Sequence, residues 1–136
     1  MVMLKKIMST GALAAALALS APSLAHHSFA MFDQTKVVNL RGTISAYRWV
    51  NPHVSLFVDV QDGPIKHGVW AVELTSPGNL TRLGWSRQSL KVGDKVDVEV
   101  NPLRDGALGG GFRKATILST GQVLQARLVE IEKPGG

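Results

Sequence analysis

Strict two-residue alternation is the feature that most limits what this chain can become. Val38, Leu40, Ile44 and Ala46 alternate with Thr43, Ser45 and Tyr47. Val54, Leu56, Val58 and Val60 alternate with Ser55, Asp59 and Gln61, and Trp70, Val72 and Leu74 with Ala71 and Glu73. Val96, Val98 and Val100 repeat the pattern with Asp97 and Glu99 between them. Side chains of a strand point to opposite faces in turn, so each run builds a strand with one buried and one wet face. Gly42 interrupts the first run and predicts a bulge or sharp bend there. Asp62-Gly63-Pro64 marks a turn.

The period changes after the third strand. Ser76-Pro77 is an N-cap followed by a proline at the first helical position. Leu80 and Leu83 lie three apart on one face, and Gly84 stops the helix. Pro102 ends the fourth strand. Arg104 to Gly111 holds four glycines and is expected to be a loop. Arg113 to Leu118 and Gln122 to Val129 are the last strands, joined at Thr120-Gly121. Three strands, a short helix and two or three further strands, with a long bent first strand, predict a mainly β fold. The layout is a small five- to six-stranded OB-like barrel with its helix between strands 3 and 4. A small sandwich is the alternative. The expected interior is Val38, Leu40, Ile44, Val54, Leu56, Val58, Trp70, Val72, Leu80, Leu83, Val96 and Val98.

Residues 1–25 are set apart from this domain. Lys5 and Lys6 precede an Ala/Leu-rich apolar run, and Ser23-Leu24-Ala25 supplies small residues at a cleavage site, the pattern of a secretory signal peptide. Residues 26–36 form an N-terminal arm, 37–130 the barrel and 131–136 a flexible tail. The expected location is periplasmic, with no stable membrane anchor after cleavage; a retained N-terminal anchor is the alternative. Removing Lys5 and Lys6 leaves 13 basic against 10 acidic side chains, a net charge of +3. These charges are scattered, so nucleic acid is not an expected partner. With no cysteine in the chain, neither disulfides nor thiolate ligands are available, and the fold depends on its core.

Cleavage after Ala25 makes histidine the first residue. The α-amine, the backbone amide and the imidazoles of His26 and His27 then form a compact set of nitrogen donors suited to Cu(II), Ni(II) or Zn(II). Copper comes first by the Irving–Williams order. His53, in the turn Trp49-Val50-Asn51-Pro52-His53, is the candidate third ligand. A solvated tail and a histidine bonded within its own turn are the plain alternatives. His67 is expected at the surface. Tyr47, Trp49 and Phe57 fall on the face opposite the apolar face of their strands. With Asn51 they are candidate ligand- or partner-contacting residues, for a small molecule or a periplasmic partner, and Phe29 to Phe32 is expected to fold back over them. Glu73 is expected to pair with an arginine such as Arg82. No catalytic motif is present, and no catalytic residue is assigned. A non-enzymatic binding module is therefore the leading expectation. A metal-independent barrel is second, and a copper enzyme with a histidine brace third.

The strings His26-His27-Ser28-Phe29-Ala30-Met31-Phe32-Asp33, Trp49-Val50-Asn51-Pro52-His53, Glu73-Leu74-Thr75-Ser76-Pro77, Leu83-Gly84-Trp85 and Asn101-Pro102-Leu103-Arg104-Asp105-Gly106 resemble the bacterial exported DUF6152 family. The likeness spans nearly all of the chain after the leader. That family is one of unknown function. The resemblance implies that the His-His-Ser-Phe start and the Asn-Pro-His turn are family marks, and it supplies no mechanism.

Overall fold

β1 (Val38–Arg48) is the strand around which everything else is arranged. In the computed structural model, which describes residues 29–126, its first half pairs with β4 (Lys95–Pro102) and its second half with β2 (Ser55–Val60), both antiparallel. β3 (Gly68–Glu73) continues from β2, and β5 (Gly109–Ile117) from β4. The sheet closes where β3 and β5 run parallel at Ala71↔Gly109, Val72↔Gly110 and Glu73↔Gly111. The result is a closed five-stranded barrel of OB-like topology. A short extra strand, β6 (Val123–Gln125), is added on β5. The mainly β class, the barrel and the helix between the third and fourth strands are as expected.

Closure depends on glycine, and the structure corrects the reading of the glycine-rich segment. Gly109 to Gly111 are not loop but the start of β5. A Cβ on Gly109 would lie 2.8 Å from the Ala71 carbonyl oxygen, and one on Gly110 2.6 Å from that of Asn101. Only hydrogen at these Cα atoms lets β5 fit between β3 and β4. Gly42 acts in the same way. The bulge lies at Ser45, where Ile44↔Val58 is followed by Ala46↔Phe57, so the extra residue is three positions beyond the one expected. At Gly42 a Cβ would sit 2.3 Å from the Asp59 carbonyl oxygen; the residue is required by close approach.

The inward residues of each strand fill the barrel: Leu40, Ile44, Leu56, Val58, Val72, Val96, Val98 and Val100 are fully buried. Helix α1 (Pro77–Arg82) packs against this core through Leu80. Ser76 Oγ accepts the Asn79 N–H at 3.2 Å as N-cap, and Leu80 is buried. Leu83 was expected inside but is 50% exposed. The helix is a turn and a half long and ends there; the Trp85 N–H returns to the Leu80 carbonyl oxygen at 3.0 Å. That reversal sends Trp85, not Leu83, into the core. Its indole meets Phe112 edge to face at 5.3 Å, and its Nε1–H donates to the Gln125 carbonyl oxygen at 3.1 Å, tying down β6. Val38 is half-buried and packs against the core from its rim.

Candidate functional site

A cleft of about 400 Å³ opens at the end of the barrel where the β1–β2 and β4–β5 loops meet the outer face of β2 and β3. Val50 to His53 form one wall. Ser55 and Phe57 of β2 with Ala71 and Glu73 of β3 form the floor, and Leu103 the opposite wall. Met31 and Phe32 of the arm complete it. Its size suits a small ligand, and its lining is mostly apolar with a few convergent polar groups, as ligand sites usually are.

His53 and Glu73 are the chemical centre of this cleft. His53 Nδ1 lies 2.6 Å from Glu73 Oε1, and each side chain is 25% exposed. The backbone explains the meeting. Ser55 is paired with Glu73 across β2 and β3. The ladder continues through Leu74 N–H to the Val54 carbonyl oxygen at 2.8 Å and Val54 N–H to that of Thr75 at 3.0 Å. His53 therefore lies directly beside the end of β3. The contact fixes the tautomer of the neutral ring: Nδ1–H donates to the carboxylate, and Nε2 is then the nitrogen with the lone pair. Arg82, the arginine named as the expected partner of Glu73, donates to Asn79 Oδ1 within its own helix. Glu73 occupies the outward phase of β3, so the strand points it into the cleft.

The three aromatic residues do not share a face. The bulge at Ser45 shifts the alternation by one, so Tyr47 stands opposite the buried Leu56. Tyr47 and Trp49 pack against the core, edge to face with centroids 6.1 Å apart. The Tyr47 hydroxyl donates to the Ser86 carbonyl oxygen at 3.0 Å, and burial raises its pKa well above the ordinary phenol value. Phe57 stays outside, on the cleft floor, with the Arg48 guanidinium 5.0 Å above its ring. Asn51 is exposed on the rim, joined to Pro52 by a cis peptide bond. His67 lies at the other end of the β2–β3 hairpin, its Nε2 3.0 Å from the Gly63 carbonyl oxygen.

His26 and His27 lie outside the described residues. Among the described residues no three His, Asp or Glu side chains gather as a metal site would require; His53 and Glu73 are a pair. The arm itself meets the barrel beside the cleft. Phe32 forms a β-bridge with Leu103, and the Asp33 N–H donates to the Pro102 carbonyl oxygen at 2.8 Å. Sequence reasoning missed Glu73 as the partner of His53, and missed the part played by Leu103 and Arg104. The outward phase of Glu73 was the one available signal.

Among the described residues no helix is long and apolar enough to cross a membrane. No curated protein and no solved structure matches the chain. The model of the family of unknown function DUF6152 matches residues 14–113, from ahead of the arm into β5. That span is most of the sequence, and the chain belongs to the DUF6152 family.

Proposed function

We propose that this protein is an exported, non-enzymatic periplasmic barrel that binds a transition metal, copper first, through His26, His27 and His53. The observation that supports this reading is the hydrogen bond from His53 Nδ1 to Glu73. A ligating histidine commonly donates its second ring N–H to a carboxylate, which fixes the tautomer and raises the basicity of the coordinating nitrogen. His53 has that arrangement on the wall of a cleft that the N-terminal arm also borders. Cleavage after Ala25 adds an α-amine and two imidazoles to the same chain end. An all-nitrogen donor set favours Cu(II).

The test is a copper titration of the metal-free mature protein, by calorimetry and EPR, after intact mass has established a start at His26. The protein should bind Cu(II) more tightly than a free peptide of residues 26–33. His26→Ala should weaken binding strongly, and a residue added ahead of His26 should weaken it by displacing the amine. Glu73→Gln should weaken it roughly 10- to 100-fold, the usual effect of losing such a partner. His67→Ala should change nothing. Imidazoles and amines must be unprotonated to coordinate, so affinity should fall as pH drops from about 7.5 to about 5.5. Binding no tighter than that of the peptide refutes the metal reading.

The cleft favours a second reading, a small-ligand or partner site that needs no metal. OB-type barrels bind their ligands on the face of strands 2 and 3 between these two loops, and Phe57 under Arg48 offers a stacking surface there. Loss of copper binding in the test would make this the leading reading.

A further inference from the structure

We infer that Met31 and His53 form a site for a soft monovalent metal ion, Cu(I), in the cleft, with Met31 Sδ and His53 Nε2 as its ligands. Both side chains line the cleft. Glu73 holds Nδ1 of His53 at 2.6 Å, which leaves Nε2 as the coordinating nitrogen. A thioether sulfur is a soft donor of the kind that selects Cu(I). Met31 is placed for this role by its neighbours. Its carbonyl oxygen accepts the Arg104 N–H at 2.9 Å, and that of Ala30 accepts Arg104 Nε–H at 3.0 Å. On the other side, Phe32 bridges to Leu103 and is 4% exposed, and the Asp33 N–H donates to the Pro102 carbonyl oxygen at 2.8 Å. The β4–β5 loop that makes these contacts is braced in turn: Lys66 Nζ donates to the Gly106 carbonyl oxygen at 3.2 Å, and the Ala107 N–H to Asp105 Oδ1 at 2.9 Å. The backbone around Met31 is therefore fixed, yet its side chain stays 49% exposed. Phe32 fills the seam between arm and loop, and Met31 is left on the cleft wall with its sulfur available to coordinate.

The charge balance of the cleft fits a monovalent ion. Neutral imidazole and thioether ligands leave the charge of the ion uncompensated. Glu73 is the one carboxylate among the described residues that line the cleft, and it is hydrogen-bonded to the ligand itself. A single positive ion and this carboxylate sum to zero in a mostly apolar space, where an unpaired charge is expensive. A divalent ion on the same two ligands would leave a surplus of positive charge, and the Arg48 guanidinium above Phe57 on the floor would add to it. The other polar residues of the lining, Asn51 and Ser55, offer oxygen, a harder donor that suits Mg(II), Ca(II) or Mn(II). Among the described residues of the lining, sulfur and nitrogen ligands are thus supplied by Met31 and His53. This inference rests on the metal reading only in taking His53 as a ligand; it adds a donor and an oxidation state.

Met31 is the only methionine beyond residue 8, so an isotope-labelled methionine methyl gives a single NMR signal in the mature protein. One equivalent of Ag(I), a soft monovalent ion that does not change oxidation state, should shift that signal and the His53 ring resonances together. Cu(I) affinity is measured anaerobically, in competition with a coloured Cu(I) chelator. Met31→Leu keeps the apolar bulk of the side chain and should leave the melting temperature unchanged. It should weaken Cu(I) binding at least tenfold and leave Cu(II) affinity within twofold. His53→Gln should weaken Cu(I) binding at least tenfold as well. A methionine signal that stays in place with Ag(I) bound would overturn the inference, and so would undiminished Cu(I) affinity in Met31→Leu. If Cu(I) binds as expected while Cu(II) binds no tighter than to the 26–33 peptide, this site stands and the Cu(II) reading falls. If Cu(II) binds tightly while the Met31 signal is indifferent to Ag(I), this site falls and that reading stands.

Discussion

Gly42→Ala should destabilise the barrel, against the usual sign of such a change. Gly42 does not have a positive φ. At a position of ordinary backbone conformation, alanine normally stabilises by about 0.4–1 kcal/mol, because it narrows the unfolded ensemble. Here the added Cβ would stand 2.3 Å from the Asp59 carbonyl oxygen, 2.9 Å from its carbon and 3.0 Å from Val58 Cγ1. Even a close C–H···O contact needs about 3.3 Å, so β1 and β2 must part by roughly 1 Å. The first two obstacles are backbone and cannot rotate away. The neighbouring rungs, Thr43↔Asp59 and Ile44↔Val58, would be strained, and Ile44 and Val58 are both core residues. Overpacking of this kind costs about 1–3 kcal/mol. For a domain of about 100 residues each kcal/mol lowers the melting temperature by about 4–8 °C. A fall of roughly 12–24 °C is therefore expected at the upper end of that range. Gly78→Ala is the control: in α1 the nearest atom to its Cβ would be Ser76 Oγ at 4.0 Å, so it should hold or raise the melting temperature. Thermal unfolding followed by circular dichroism compares the two. If Gly42→Ala melts at or above the parent protein, the argument from close approach is wrong.

Two further outcomes follow from the core and the surface. Val98→Asp should unfold the domain, because Val98 is fully buried and an unpaired carboxylate in an apolar interior is expensive; melting like the parent would overturn the inside–outside assignment. Asp97→Asn should change little at pH 7, where an ion pair this exposed contributes little, but should flatten acid unfolding. The Arg41 guanidinium, 2.6 Å away, hydrogen-bonds the Asp97 carboxylate and holds its pKa below the ordinary value. Stability from a depressed carboxylate is present above its unfolded pKa of about 3.9 and is lost as pH falls through the lower folded value. Superimposable acid-unfolding curves below pH about 4 would refute that role.

Alternation alone determined most of the fold. Period two is a local property: a strand's inward and outward residues are written in its own sequence, which is why Leu40, Val58, Val72 and Val98 were legible as core. The Ser76-Pro77 start of α1 is equally local, since a cap needs only its own next few residues. The features that were not legible all depend on a second segment of chain. Gly109 and Gly110 look like loop glycines until Ala71 and Asn101 are seen to press against them. Tyr47 and Trp49 turn inward because β2 lacks a residue opposite Ser45, which nothing in β1 reveals. Glu73 meets His53 through strand register, and register is set by pairing between segments. The cleft needs two loops, two strands and an arm that are up to 74 residues apart, as in the Arg104–Ala30 bond. The sequence by itself determined most of the strands and the helix. Only the tertiary structure decided which of the described residues stand together, because that contact geometry is a property of the closed barrel and not of any one segment.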